Sequence, residues 1–260
     1  MKLDRHYLRL DGGLHLHYRT GGEGVPLVLM HPSPRSSRLL EPLGEVLAAR
    51  FRVYLPDLFG YGQSDPLPGP VKSLNDYVPY LKQVFDRLGL EQFGLYGSAT
   101  GAQLAIAYAT AHPDAVAHLF LDNAADFTDA QRADILSHYF IDATPRADGS
   151  HLQTQWAHLR QSLYAFPWYS DRVEDQLRTE KLPDAVEAAI CQDMLLDYLL
   201  AGPAYADAYR AAFEHEKSEN VRKLTVPTMI FRWEGSPILK YIDQLVGQSF
   251  PAHVRVQPVP

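Results

Sequence analysis

The chain has 260 residues, 46% hydrophobic and 21% charged, which suits one large globular α/β domain carrying an insertion. A net charge of -7 with no Lys/Arg run speaks against nucleic-acid binding, and a single cysteine, Cys191, excludes an intrachain disulfide and a cysteine-rich zinc site. The charged start MKLDRHYLRL lacks the apolar core of a secretory signal, and no apolar run nears the ~20 residues of a membrane span, so a soluble cytoplasmic protein is expected.

In chain order, alternating segments at 7–10 and 14–18 flank Asp11-Gly12-Gly13, which predicts a hairpin. LVLMH at 27–31 is a continuous apolar run, expected of a strand buried on both faces. A helix over 38–49, a strand over 51–57 and a helix over 73–89 follow, the last from apolar spacing through Leu74, Leu81, Phe85 and Leu88. Then come a strand at 93–96, a helix at 101–111 and a strand at 118–122. Residues 127–216 read as helical and aromatic-rich, with no comparable strand, before strand 226–233, helix 238–249 and strand 253–259. Alternating strands and helices predict an α/β fold with a mostly parallel sheet, its core formed by 1–126 and 217–260 and a helical cap by 127–216.

The stretch YGSATGAQLAIA at 96–107 has the form of a strand–turn–helix elbow. In such a turn the central side chain projects alone above the sheet, and small residues on either side let strand and helix approach closely. Gly97 and Gly101 occupy those flanking places, yet the central residue is Ala99.

Four segments extend this pattern: VLMHPSPRSSRLLEPL at 28–43, VYLPDLFGYGQSDP at 53–66, FGLYGSATGAQLAIAYATAHPDAVAHLFLDNAA at 93–125 and VPTMIFRWEGSPIL at 226–239. In order and spacing they resemble the α/β-hydrolase fold superfamily, of the serine hydrolase type with a helical cap. The resemblance implies a central sheet flanked by helices, a nucleophile elbow and an oxyanion hole. It puts Ala99 where the nucleophilic serine stands; Ser98 and Thr100 are each one residue off. Oxyanion donors fall on the backbone N–H groups of Ser33 and Thr100, since Pro32 has none to give. The usual acid position falls on Ser236, which is not acidic. Asp122, at the end of an earlier strand with Asp126 one turn on, is the other place for an acid, and Glu234 is the remaining local carboxylate.

In the family the base follows the last strand, and none of the eleven histidines stands there. That raises the expectation of some tens of further residues beyond Pro260. His31, Arg35, Ser98, Trp156, Tyr164 and the run Phe166-Pro167-Trp168-Tyr169 are candidates for lining a substrate pocket, although most cap aromatics are expected to form the cap's own core, and Arg160 is a second cation there. Neither metal nor organic cofactor is implied, because no metal-ligand spacing or dinucleotide fingerprint occurs. The expected partner is a small-molecule substrate.

The implied function is hydrolysis of an ester, thioester, amide or activated C–C bond in a small, partly apolar molecule, an esterase-like activity that this Ala99 form is expected to lack. Deliberate replacement of a serine is the account favoured here. The other account is natural loss, giving a ligand receptor, or a lyase or cyclase that uses the oxyanion hole alone.

Overall fold

The computed structural model describes residues 1–260. Eight strands form one sheet in the order β1-β2-β4-β3-β5-β6-β7-β8. β1 (Asp4–Arg9) and β2 (His15–Gly21) form the expected hairpin, joined by a longer turn in which Gly12 and Gly13 take φ of 77° and 89°. β2 also pairs antiparallel with β4 (Arg52–Pro56). The remaining pairings are parallel, through β3 (Pro26–Met30), β5 (Phe93–Ser98), β6 (Val116–Asp122), β7 (Thr228–Trp233) and β8 (Val254–Val259).

The unbroken apolar run of β3 follows from cover on both faces. Leu27 and Leu29 share a cluster with Leu40 of α1 (Ser37–Leu47), while Val28 and Met30 join the large core on the other side. The predicted 73–89 helix is two pieces, a 3-10 turn at Leu74–Asp76 and then α2 (Val78–Arg87). Pro79 lies in the first turn of α2, where a missing N–H costs nothing. Beside α1 the sheet keeps an open apolar groove of about 330 Å³, lined by Leu27, Leu43, Tyr96, Phe120 and Phe231 among others.

α3 (Thr100–Ala111) runs through the middle of the large core, with every residue from Thr100 to Ala109 buried. Its four core alanines keep it thin enough to lie close to the sheet. The approach is closest at the elbow: a Cβ on Gly97 would stand 2.2 Å from the Gly101 carbonyl oxygen, and one on Gly101 2.2 Å from that of Met30.

Between β6 and β7 lie α4 (Asp129–His138), α5 (Ser150–Ser162), α6 (Asp184–Ala201), α7 (Asp207–His215) and the short α8 (Ser218–Arg222). α4 begins with a reciprocal cap: Thr128 Oγ1 accepts from the Gln131 N–H at 3.3 Å, and Gln131 Oε1 from the Thr128 N–H at 2.8 Å. Phe127, Tyr139 and Phe213 of this region form one cluster with Tyr241 from beyond β7, and Leu159, Cys191, Tyr198 and Tyr205 form a second. Beyond β7, α9 (Leu239–Val246) adds Ile242 to the first cluster.

Three charged and polar contacts fasten these helices to the core. Arg35 Nε donates to Asp197 at 2.7 Å, Arg35 NH2 to Asp193 at 2.5 Å, and Ser36 Oγ to Asp197 at 2.9 Å.

His158 of α5 is buried against Trp168 (4.7 Å between rings), bonded through Nε2 to the Tyr198 hydroxyl at 3.0 Å, with Nδ1 unpartnered. Burial lowers its pKa from 6.5 to about 4, so the folded ring is neutral. Between those two pH values the unfolded chain binds a proton that the folded one does not. Stability should therefore fall as pH drops from 6.5 through about 4, by up to roughly 3 kcal/mol from this residue. Urea melts at pH 7 and pH 4 check it: the fall should be smaller in His158→Gln, and an equal fall in both proteins would contradict the assignment.

Candidate active site

The pairing of β3 with β5, Met30 opposite Gly97, brings the HPSP loop beside the elbow. Ala99 is the N-cap of α3 at φ 49°, ψ −113°, in a region an L-residue seldom enters. Such a conformation costs of order 1–3 kcal/mol. It is held by Ala99 N–H donating to the Asp122 carbonyl at 3.0 Å and by Gln103 N–H donating to the Ala99 carbonyl at 3.1 Å. Thr100 opens the helix, so its N–H belongs to the N-terminal amides that have no i−4 partner. Ser33 and Thr100 are both buried, and neither hydroxyl has a hydrogen-bond partner.

Above Ala99 lies a chamber of about 50 Å³. Phe166, Tyr209 and Phe213 roof it, Phe127, Ala212 and Ile238 wall it, and Thr100 and Glu216 supply its polar groups. A chamber this size holds one or two small molecules of water's bulk, since a water occupies ~30 Å³ in the liquid. A larger cleft of about 670 Å³ lies alongside, between residues 162–178 and 233–243, and Phe166 lines both spaces.

The other candidate residues are placed as follows. Asp122 ends β6 opposite Ser98, so their side chains share a sheet face. Its carboxylate accepts from Tyr96 Oη at 2.8 Å, Ser98 Oγ at 3.1 Å and Asn123 Nδ2 at 3.0 Å, and no histidine is among its partners. Burial and this carboxylate raise the Tyr96 pKa. Ser236 Oγ donates to Asn123 Oδ1 at 2.6 Å and accepts from the Ile238 N–H at 3.2 Å, tying the loop after β7 to the end of β6. His31 is fully buried. Its Nε2 accepts from the Leu58 N–H at 2.9 Å, so Nδ1 carries the proton and donates to the Pro32 carbonyl at 2.9 Å. Both nitrogens are engaged, and burial lowers its pKa.

Arg35 is committed to Asp193 and Asp197, and Arg160 to Glu187 at 2.6 Å. Trp168 Nε1 donates to the Tyr139 carbonyl at 2.7 Å, Tyr169 Oη to Asp134 at 2.6 Å, and Trp156 packs on the second aromatic cluster. None of these three rings reaches the chamber over Ala99, whose aromatic lining comes from Phe127, Phe166, Tyr209 and Phe213. Glu234 is exposed near Arg232, and His253 Nε2 lies 2.8 Å from the Leu224 carbonyl.

A family model described as "alpha/beta hydrolase fold" matches residues 25–255. The chain belongs to that family. This α/β hydrolase is 40% identical over 116 residues to a 2-hydroxy-6-oxononadienedioate/2-hydroxy-6-oxononatrienedioate hydrolase of Pseudomonas putida, covering 42% of this chain and 40% of that protein. It is 32% identical over 117 residues to a soluble epoxide hydrolase of Corynebacterium sp., covering 45% and 40%. The matched segments thus span about 40% of the length of these curated relatives, which are hydrolases. Among solved structures, a hydrolase of Pseudomonas aeruginosa superposes with TM-score 0.70 at 18% identity, over 99% of this chain and 90% of that one. An esterase of Thermogutta terrifontis gives 0.65 at 21% identity, over 98% and 90%. No helix of this α/β hydrolase is long and apolar enough to cross a membrane.

The chamber residue that sequence patterns left unmarked is Glu216. Ala208, Ala212 and Glu216 recur every four residues along and just past α7, and all three are buried. A carboxylate extending a stripe of buried alanines is the sequence signal that could have found it.

Proposed function

We propose that this α/β hydrolase belongs to the group attacking the carbonyl of an ester, thioester, amide or activated C–C bond in a small, partly apolar molecule, with position 99 as the nucleophile's place. In the Ala99 form the site binds such a molecule without cleaving it, its reacting end in the small chamber over residue 99 and the rest in the adjoining cleft once the Phe166 ring gives way. The observation that carries this reading is the strained backbone of Ala99, fixed between Gly97 and Gly101 beneath an apolar chamber. A turn that presents only a methyl group has no packing reason to adopt φ 49°. That the curated relatives are hydrolases supports hydrolysis as the kind of reaction. The helices between β6 and β7 act in this reading as the cap over the site.

Ligand charge follows from the surroundings. Arg35 is neutralised by two aspartates, and Arg132 gives its NH1 and NH2 to the carbonyls of Phe213 and Phe127. With no cation free at the chamber, an uncharged substrate is favoured over a carboxylate. The non-hydrolytic reading also has an observation in its favour, since both nitrogens of His31 are engaged and Asp122 holds no imidazole.

Saturation-transfer NMR with ethyl butyrate tests the proposal. The ester should bind the protein and remain unconsumed, and Ala212→Leu, which fills the chamber, should abolish binding. Consumption of the ester by the Ala99 form, or binding unchanged by Ala212→Leu, would contradict it.

A further inference from the structure

The elbow helix and α7 bring together three polar side chains that no catalytic step has yet used. α3 carries Gln103 one turn beyond Ala99, and α7 packs along α3 with His215 and Glu216 at its end. His215 Nδ1 lies 2.9 Å from Gln103 Oε1. An amide oxygen only accepts, so His215 donates there. Gln103 is also among the groups that pull the pKa of the neighbouring Glu216 carboxyl down. A protonated carboxylic acid has an O–H to give.

Glu216, only 5% exposed, is one of the residues lining the chamber over Ala99. Thr100, 2% exposed, lines the same chamber, and its hydroxyl has no partner. Buried polar groups are nearly always satisfied, and an unpartnered one aimed into a cavity marks a place left for a guest. The other lining groups are apolar, and a few polar groups set among apolar walls are the arrangement of a small-molecule site.

We infer that Glu216 is the ligand-orienting residue of this site, a neutral carboxylic acid whose O–H is donated to the oxygen of a small uncharged carbonyl compound lying over Ala99. The inference rests on reading the chamber as the ligand site. The charges around Glu216 oppose one another, Asp126 favouring the neutral acid and Arg132 the carboxylate. Burial and Asp126 push its pKa well above the usual carboxylate range, outweighing the pull of Arg132 and Gln103. Arg132 of α4 is turned to the Phe127 and Phe213 carbonyls. His215 is held neutral at pH 7, its pKa lowered to about 4 by burial and then by Lys223 and Lys217. No cation lines the chamber, so ketones, aldehydes and esters match it better than carboxylate anions.

The test uses 2-butanone labelled with ¹³C at its carbonyl, at pH 7. The Glu216 band is the protonated-carboxyl infrared absorption that Glu216→Gln removes. Adding the ketone should lower the frequency of that band and move the ¹³C resonance downfield. Glu216→Gln, which keeps a donor of the same shape, should bind within about threefold of the parent. Glu216→Leu, which has no donor, should bind about tenfold more weakly without losing thermal stability. Should Glu216→Leu fail to fold, the parent and Glu216→Gln spectra decide alone. A Glu216 band unmoved while the ketone binds, equal binding of butyrate and 2-butanone, or no ketone binding to the parent would each overturn the inference. If Ala212→Leu abolishes ester binding while the Glu216 band stays unmoved in the parent, this inference fails and the reading of the chamber stands.

Discussion

Ala99→Cys should release about one equivalent of p-nitrophenolate per chain from p-nitrophenyl acetate, in a burst followed by slow turnover. Residue 99 caps the N-terminus of α3, where the positive end of the helix dipole lowers a thiol's pKa. A thiolate can therefore form without a histidine to take the proton. It attacks the ester carbonyl, the acetyl group passes to sulfur, and nitrophenolate leaves with the electron pair. If the Ser33 and Thr100 N–H groups receive the developing oxyanion, acylation should run ~10²–10³ times faster than with glutathione at equal thiolate concentration. The parent chain provides the control, because its one thiol, Cys191, is fully buried and its pKa is raised by that burial. Stopped-flow absorbance gives the burst, and intact mass the single acetyl group. No burst, or a rate matching glutathione, would remove position 99 from the chemistry.

Asp197→Ala should destabilise the protein by about 3–5 kcal/mol. Asp197 is wholly buried and takes hydrogen bonds from Arg35 and Ser36, with Arg38 NH2 at 3.3 Å. Its removal leaves the mostly buried Arg35 guanidinium with Asp193 alone, and an uncompensated buried charge costs more than the hydrogen bonds themselves. The double variant Arg35→Met/Asp197→Leu should be less destabilised than Asp197→Ala, since it replaces both charges with apolar groups. Denaturant melts of the three proteins check this. Losses below about 1 kcal/mol would show that the ion pairs are surface decoration.

Much of the fold could be read from residue patterns because the forces that set it act locally. The apolar run Leu27–Met30 has to be a doubly covered strand, and Gly97 and Gly101 stand where any Cβ would strike a backbone carbonyl. Element ends were less legible. Pro79 and the 3-10 turn before it divide one apolar period into two pieces, which spacing alone does not register. The site was legible along its backbone and illegible in its side chains. Arg35 offered a free cation to the eye because its partners lie 158 and 162 residues away, on a helix whose facing cannot be read from composition. Of the run Phe166–Tyr169, only Phe166 lines the chamber at the elbow, while the polar tips of Trp168 and Tyr169 are occupied within the cap. Glu216 escaped because exposure is the ordinary fate of a glutamate, and only packing against α3 overrules it.

The all-round burial of α3 bears on how the elbow is kept in its unfavourable shape over time. Amides on a helix with one face to water exchange hydrogen through small local openings, but those of Ile106 or Tyr108 have neighbours on every side. Their deuterium uptake should proceed only when the whole core comes apart, which makes them clocks for global unfolding. The bend at Ala99 is clamped to the start of that same helix. It can relax no more often than those clocks tick, so the loop stays poised for a ligand throughout the lifetime of the native state.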